Sequence, residues 1–149
     1  MKRVLLITGP GGDAQGWGDM KVTESVRDAL TSGDASAEIA YVENQDEFLR
    51  RIERRDFDIA WSALYFVSER ADVIGASGEG TMWVADELDA RGIPYIGPSS
   101  LTMKQLIEKH ETHRILAENG VRVPVNHVVA IGEVPPEVSF PAFVKPDTD

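Results

Sequence analysis

The sequence contains no cysteine, which excludes disulfides, thiolate nucleophiles and thiolate metal sites. It also lacks long apolar runs, because residues 4–8 are too few for a signal-sequence core or a membrane span. Positive charge is scarce: 15 Lys and Arg residues face 25 Asp and Glu residues, for a formal net charge of -10. Such a charge repels nucleic acid and anionic membrane surfaces. We therefore expect a cytoplasmic protein with no nucleic-acid and no membrane partner.

The residues that are present have the composition of a soluble globular protein, with 42% hydrophobic and 27% charged residues. The 149 residues suffice for one domain of about 100 to 150 residues and the opening of another. Over the first 97 residues the patterns follow the order β-α-β-α-β-loop-α-β. This order predicts an α/β fold built on a doubly wound parallel sheet, with helices on both faces.

The strands of this sheet are predicted from apolar or alternating runs at residues 4–8, 38–42, 57–63 and 93–96. Apolar residues at helical spacing predict the connecting helices, the first through Val22, Val26 and Leu30 and the third through Met82, Ala85 and Leu88. Asn44, followed three residues later by Glu47, has the spacing of a capping box and predicts where the second helix begins. Residues 64–80 show no periodicity, and so long a loop is often functional or mobile.

The last third of the chain predicts a helical stretch from Ser99 or Ser100 to Gly120 and strands at 125–131 and 140–145. Two strands with one exposed face cannot bury a core of their own. We therefore predict a complete α/β domain at residues 1–97 and an incomplete second domain, of linker helices and first strands, at 98–149.

Five short segments share an order and spacing that point to one family: Gly80-Thr81, Gly-Ile-Pro-Tyr-Ile-Gly at 92–97, Leu101-Thr102 through Lys109, Asn-Gly-Val-Arg-Val-Pro at 119–124 and Phe-Pro-Ala-Phe-Val-Lys-Pro at 140–146. Together they resemble the D-alanine:D-alanine ligase branch of the ATP-grasp superfamily. The resemblance implies a Rossmann-like, pre-ATP-grasp domain followed by the start of an ATP-grasp lobe. Relatives phosphorylate a carboxylate with ATP, and an amine then displaces phosphate from the acyl phosphate.

The resemblance also implies cofactors and partners. In relatives a C-terminal lobe holds two Mg²⁺ ions, so the magnesium ligands are expected beyond residue 149. Residues 1–149 alone are then expected to be inactive, with no catalytic residue and no metal ligand among them. The substrate would be a small amino-acid-like molecule. A homodimer is expected because relatives often dimerise through this domain.

Two lysines match the ATP-contacting lysines of the family. Lys145 lies in the Val-Lys-Pro motif after an apolar run, where an ammonium group can contact phosphate oxygens; taken alone, it would read as an exposed lysine at a strand end. Lys109 lies on the linker helix, where a lysine would otherwise be solvated surface. Relatives usually repeat a lysine four residues later, and His113 stands there in this chain. A phosphate contact from a histidine would be weaker and pH-dependent.

Four further residues are expected at the substrate. Gly11 and Gly12 follow the first strand in a turn that faces substrate or nucleotide in relatives, although such glycines also serve backbone conformation alone. Residues 21–23 read Lys-Val-Thr where the family has Glu-Val-Ser, with Glu24 as the nearest carboxylate. Tyr65 lies where relatives often have a histidine-glycine pair. These departures leave open whether D-alanine is the substrate.

Two alternatives remain at the level of sequence. One is a related ATP-grasp ligase that joins other amino acids or acts in natural-product assembly. The other is a non-catalytic nucleotide or metabolite-binding module, because Gly9, Gly11 and Ala14 fit a G-x-G-x-x-A dinucleotide fingerprint with Glu43 closing the second strand. That fingerprint needs a helix opening directly at the glycines, and Gly16 and Gly18 interrupt the pattern here. Trp17, in the same glycine-rich segment, is a candidate lid contact.

Overall fold

The computed structural model of the protein describes residues 1–15, 19–69 and 80–145. The chain divides into two compact units, Met1–Ser100 and Leu101–Asp149. Its strands are β1 (Lys2–Thr8), β2 (Ala35–Tyr41), β3 (Ile59–Ser62), β4 (Phe66–Val67), β5 (Met82–Trp83) and β6 (Tyr95–Ile96). Its helices are α1 (Gly12–Gln15), α2 (Met20–Ser32), α3 (Gln45–Glu53), α4 (Val84–Ala90), α5 (Ser100–Ile107) and α6 (Lys109–Glu118). None of the described helices is long and apolar enough to cross a membrane.

The first unit is built on a four-stranded parallel sheet in the order β2-β1-β3-β6. The chain moves from β1 outward to β2, returns past β1 to β3, and continues in that direction to β6. With right-handed crossovers, this reversal places α2 on one face of the sheet and α3 and α4 on the other. The predicted doubly wound α/β fold is confirmed.

The core of this unit lies under α3 and α4. Leu5 and Ile7 alternate onto that face from β1 and are fully buried. Phe48 and Ile52 from α3 and Leu88 from α4 pack in the same apolar cluster. Since each fully buried aliphatic or aromatic side chain contributes about 1.5–3 kcal/mol, this cluster supplies a large share of the driving force for folding.

The predicted start of α3 is confirmed. The Asn44 side chain accepts a hydrogen bond from the backbone N–H of Glu47 at 3.0 Å, so it caps the first turn of the helix. The Glu47 carboxylate reaches back to the N–H of Glu43 rather than to that of Asn44 itself. The two hydrogen bonds therefore resemble a capping box, except that the second one goes to the residue before the N-cap instead of to the N-cap itself.

Three other predicted segments differ from the structure. Met82 and Trp83 do not open a helix, because they pair antiparallel with β4, and α4 begins at Val84. That pairing gives order to part of the predicted 64–80 loop; residues 70–79 lie outside the described ranges. The single helical stretch predicted after Ser100 is two helices, α5 and α6, separated at Glu108.

The strands predicted at 125–131 and 140–145 are not formed: these residues carry no regular secondary structure. Their large apolar side chains are exposed, with Val129 the least so at 39% of full accessibility and Val144 at 99%. A strand gains stability from an edge partner and a covered face. The described part of the second unit provides neither an edge partner nor a covered face for residues 125–131 and 140–145. An apolar pattern alone was therefore insufficient to predict strands there.

We predict that Gly9→Ala destabilises the protein by about 1–3 kcal/mol, the range for forcing an extra carbon into a packed site. A Cβ at Gly9 would lie 2.2 Å from the carbonyl oxygen of Val42, so backbone must move. Thermal unfolding followed by circular dichroism measures the change. Gly33→Ala is the matched control, since its Cβ would meet nothing nearer than the Leu30 oxygen at 3.5 Å. Equal melting temperatures for the two variants would contradict the prediction.

A second prediction concerns Asp58, which joins the starts of β1 and β3. Its carboxylate accepts hydrogen bonds from the Arg3 guanidinium at 3.1 Å and the Arg3 backbone N–H at 2.8 Å. These bonds lower the pKa of Asp58 below its ordinary value. A lowered folded-state pKa stabilises the protein above the unfolded pKa, near about 4, and this contribution is lost as pH falls through the folded value.

The wild-type protein should therefore melt at a higher temperature than Asp58→Asn at neutral pH, and the gap should narrow below about pH 4. The pair is partly exposed, so the effect is small and added salt should reduce it. Melting temperatures of both proteins across this pH range provide the test. A gap that is constant in pH would show that the carboxylate charge contributes nothing.

Candidate functional site

The sheet topology defines where a ligand site can form. The connection after β1 leads toward β2 on one side, and the connection after β3 leads toward β6 on the other. Where neighbouring parallel strands send their connections in opposite directions, a crevice opens beyond their carboxyl ends, and ligands of open α/β sheets bind there. In this protein the switch point lies between the turn after Thr8 and the segment after Ser62.

The turn after β1 is shaped by close backbone contacts. Val42 donates to the Thr8 carbonyl at 2.8 Å, which brings the end of β2 so near that only a glycine fits at position 9. Gly11 has a φ of 79°, in the left-handed region that favours glycine. Gly12 donates to the Gly9 carbonyl at 3.1 Å and starts the single turn of α1. Gly9 and Gly11 thus have backbone reasons to be glycine, and the substrate role of Gly11 and Gly12 stays a prediction.

The segment after β3 is fixed by its own contacts. Ala63 donates to the Ile7 carbonyl at 2.8 Å, which extends the β1–β3 ladder by one bond. The Ser62 hydroxyl accepts from the Leu64 N–H at 3.0 Å and turns the chain away from the sheet. The carbonyl of Tyr65 accepts from Val84 at 3.0 Å, just before β4 begins. Tyr65, a predicted substrate contact, is half-buried at this edge.

Gln15 joins these two segments. Its side-chain oxygen Oε1 accepts hydrogen bonds from the backbone N–H groups of Tyr65 and Phe66, each at 3.0 Å. Its own N–H donates to the Gly11 carbonyl at 3.0 Å. The structure therefore brings Gly11, Gly12 and Tyr65 to one edge of the sheet and links them through a residue that the sequence analysis missed. No periodicity or motif marks Gln15; its position just after the glycine turn is the only signal.

A second glutamine, also missed, holds the far end of the same segment. Gln45 is the first residue of α3, and its Nε2 donates to the Val67 carbonyl at 3.1 Å and to the Gly80 carbonyl. Phe66 packs edge-on against Trp83, with ring centroids 5.7 Å apart. These contacts hold the end of β4 at Val67, and Gly80 shortly before β5, next to the start of α3. They therefore restrain the segment that carries Tyr65.

Glu24 lies on the exposed side of α2, in its second turn. The helix begins at an N-cap, Asp19, whose carboxylate accepts from the Val22 N–H at 3.0 Å. Thr23, which stands where the family has a serine, is fully buried, and its hydroxyl donates to the Asp19 carbonyl at 3.1 Å. Thr23 is thus part of the helix start, and the substrate contact of Glu24 stays a prediction.

The dinucleotide fingerprint has only part of its required geometry. The glycines do open directly onto a helix, but α1 ends after one turn at Gln15, and α2 starts separately at Met20. Glu43 is exposed and gives its N–H to Glu47. A dinucleotide site needs the long helix whose N-terminus faces the pyrophosphate. Gly16, Trp17 and Gly18 lie outside the described residues.

Both predicted ATP-contacting lysines belong to the second unit. Lys109 is the first residue of α6 and is half-buried, whereas Lys145 is exposed in a segment without regular structure. His113, one turn after Lys109 on the same helix, has its Nδ1 2.8 Å from the side-chain amide nitrogen of Asn126. One ring nitrogen of His113 is therefore engaged by Asn126.

Magnesium ligands were expected only beyond residue 149. Across residues 1–15, 19–69 and 80–145, no group of three or more His, Cys, Asp or Glu side chains could hold a metal ion.

No protein-family model and no curated protein matches the chain. Among solved structures, the chain is similar to D-alanine–D-alanine ligase from Bacillus anthracis, with a TM-score of 0.58 and 18% identity over 84% of this chain and 37% of the ligase. A structure of the ligase from Bacillus anthracis complexed with ATP gives a TM-score of 0.59 and 20% identity over 90% of this chain and 40% of the ligase. The chain thus spans less than half the length of these structures. Such identities show the fold alone, and at that level the resemblance predicted from the sequence is confirmed.

Proposed function

We propose that the chain is the N-terminal part of an ATP-dependent carboxylate–amine ligase. The observation that carries this proposal is the switch-point site, in which Gln15 joins the glycine turn to Tyr65 on a fold similar to that of D-alanine–D-alanine ligase. Ligands of open α/β sheets bind at this place. The lysines at the family's nucleotide-binding positions, Lys109 and Lys145, supply the second line of support.

The proposed reaction has two steps. A carboxylate oxygen of the first substrate attacks the γ-phosphorus of ATP, and the β–γ phosphoanhydride bond breaks to give an acyl phosphate and ADP. The amine of the second substrate then attacks the acyl carbon, loses a proton and displaces inorganic phosphate. Mg²⁺, held by residues beyond 149, would neutralise phosphate charge when bound.

Residues of this chain would bind and orient the reactants. Gly11, Gly12, Glu24 and Tyr65 would form a wall of the amino-acid site, and Lys109 and Lys145 would contact ATP phosphates. An ammonium group is a compact charge that suits phosphate oxygens. In this proposal the amino-acid contacts belong to the first unit and the nucleotide contacts belong to the second.

The residues at the proposed amino-acid site favour a ligase for amino acids other than D-alanine. Lys21 replaces the glutamate of the family's segment, and Thr23 has its hydroxyl bonded to Asp19 inside the helix start. Neither position then offers a carboxylate to an incoming ammonium group, and Glu24 becomes the nearest candidate. A charge that is present in D-alanine ligases and absent here changes which end of an amino acid can be paired.

The nucleotide role predicts that Lys109→Ala and Lys145→Ala each weaken ATP binding by about 10- to 100-fold, as expected for loss of a charge-assisted hydrogen bond. Isothermal titration of the full-length protein with Mg²⁺–ATP measures the affinity. Lys2→Ala, an exposed lysine at the start of β1, is the control and should bind ATP like the wild type.

Thermal shift separates the proposal from its alternatives, because a ligand that binds only the folded state raises the melting temperature. Mg²⁺–ATP should stabilise the full-length protein and NAD should not. Amino acids or dipeptides that stabilise it further would identify the substrate class. Stabilisation by NAD without any effect of ATP would replace the ligase with the dinucleotide-binding module.

A further inference from the structure

Two consecutive backbone N–H groups at the switch point share a single acceptor oxygen. The N–H groups of Tyr65 and Phe66 follow the third strand of the sheet, and both donate to Oε1 of Gln15 at 3.0 Å. Buried or half-buried amides cost free energy when they lack a partner. This part of the chain is therefore stable in its observed position because Gln15 is there.

Gln15 also connects that position to the glycine turn. Its backbone N–H donates to the Gly11 carbonyl, and its side chain accepts from the N–H of Tyr65. Gln15 therefore links the glycine turn to the Tyr65 segment through hydrogen bonds on both sides. The backbone of Tyr65 is held from the other side as well, because its carbonyl accepts from Val84. With both peptide groups fixed, the backbone of Tyr65 has a defined position relative to the turn.

We propose that Gln15 is a positioning residue for the amino-acid substrate: it sets the Tyr65 segment against Gly11 and Gly12 and so shapes the specificity of that site. This inference rests on the proposed function. Gln15 acts through the backbone of Tyr65 and Phe66, and what it contributes is an acceptor oxygen. The proposed nucleotide contacts, Lys109 and Lys145, belong to the other unit of the chain, so we expect Gln15 to affect the amino-acid side alone.

The test compares two substitutions of similar size in the full-length protein. Gln15→Met removes the acceptor and keeps the length of the side chain, whereas Gln15→Glu keeps an acceptor oxygen in the same place and adds a negative charge. Asp13→Ala, an exposed residue on the same turn of helix, is the control. The readouts are amide hydrogen exchange at Tyr65 and Phe66, and the KM values for ATP and for the most active amino acid among D-alanine and the common L-amino acids, assayed by phosphate release.

In Gln15→Met we expect both amides to exchange about tenfold faster, as for loss of roughly one net hydrogen-bond energy per group. The KM for the amino acid should rise by about the same factor, and the KM for ATP should stay unchanged. Gln15→Glu should match the wild type in the exchange of both amides, and Asp13→Ala should match it in all three readouts. A purely structural role would instead lower activity at unchanged KM values.

An equal rise of both KM values in Gln15→Met, or amide exchange in Gln15→Glu as fast as in Gln15→Met, would overturn the proposal. If the wild type releases no phosphate with any of these amino acids, the ligase function fails, and hydrogen exchange alone then decides the role of Gln15. Faster exchange in Gln15→Met but not in Gln15→Glu would still support positioning of Tyr65. Unchanged exchange in both variants would overturn it.

Discussion

The whole first unit depends on β1 being paired on both edges. Residues Lys2–Thr8 pair with β2, and the inner four of them pair with β3. A strand so enclosed has no free edge, and Leu5, Leu6 and Ile7 lose contact with water on both faces. Parallel neighbours need crossover connections, so this one strand dictates that helices cover both faces of the sheet.

The two ends of β1 have different chemistry. At the amino end, Asp58 completes the ladder through its side chain and its own N–H, both bonded to Arg3. At the carboxyl end the chain turns at once beneath the Val42 carbonyl, and its next polar contact crosses to the segment after β3. One end is closed by an ion pair, whereas the other end carries the glycine turn and the Tyr65 segment, which we propose as part of the substrate site.

The sequence was informative where one side chain determines the local structure. Asn44 can cap a helix without any distant partner, and its position predicted the start of α3. Strand β5 was missed because Met82 and Trp83 carry no short-range signal; their conformation comes from pairing with Phe66 and Val67. The strands at 125–131 and 140–145 were predicted wrongly for the opposite reason, since an apolar pattern was present and the described part of the chain provides no pairing partner.

The same reasoning explains why the glycine motif gave a weaker indication of function than Gln15 did. Gly9 is required by the nearness of Val42, and Gly11 by its positive φ, so both would be glycine in a turn that bound nothing. Gln15 has no such local requirement. Its acceptor oxygen serves amides fifty and fifty-one residues away, a relation that spacing cannot reveal and that exists only once β1 and β3 lie side by side.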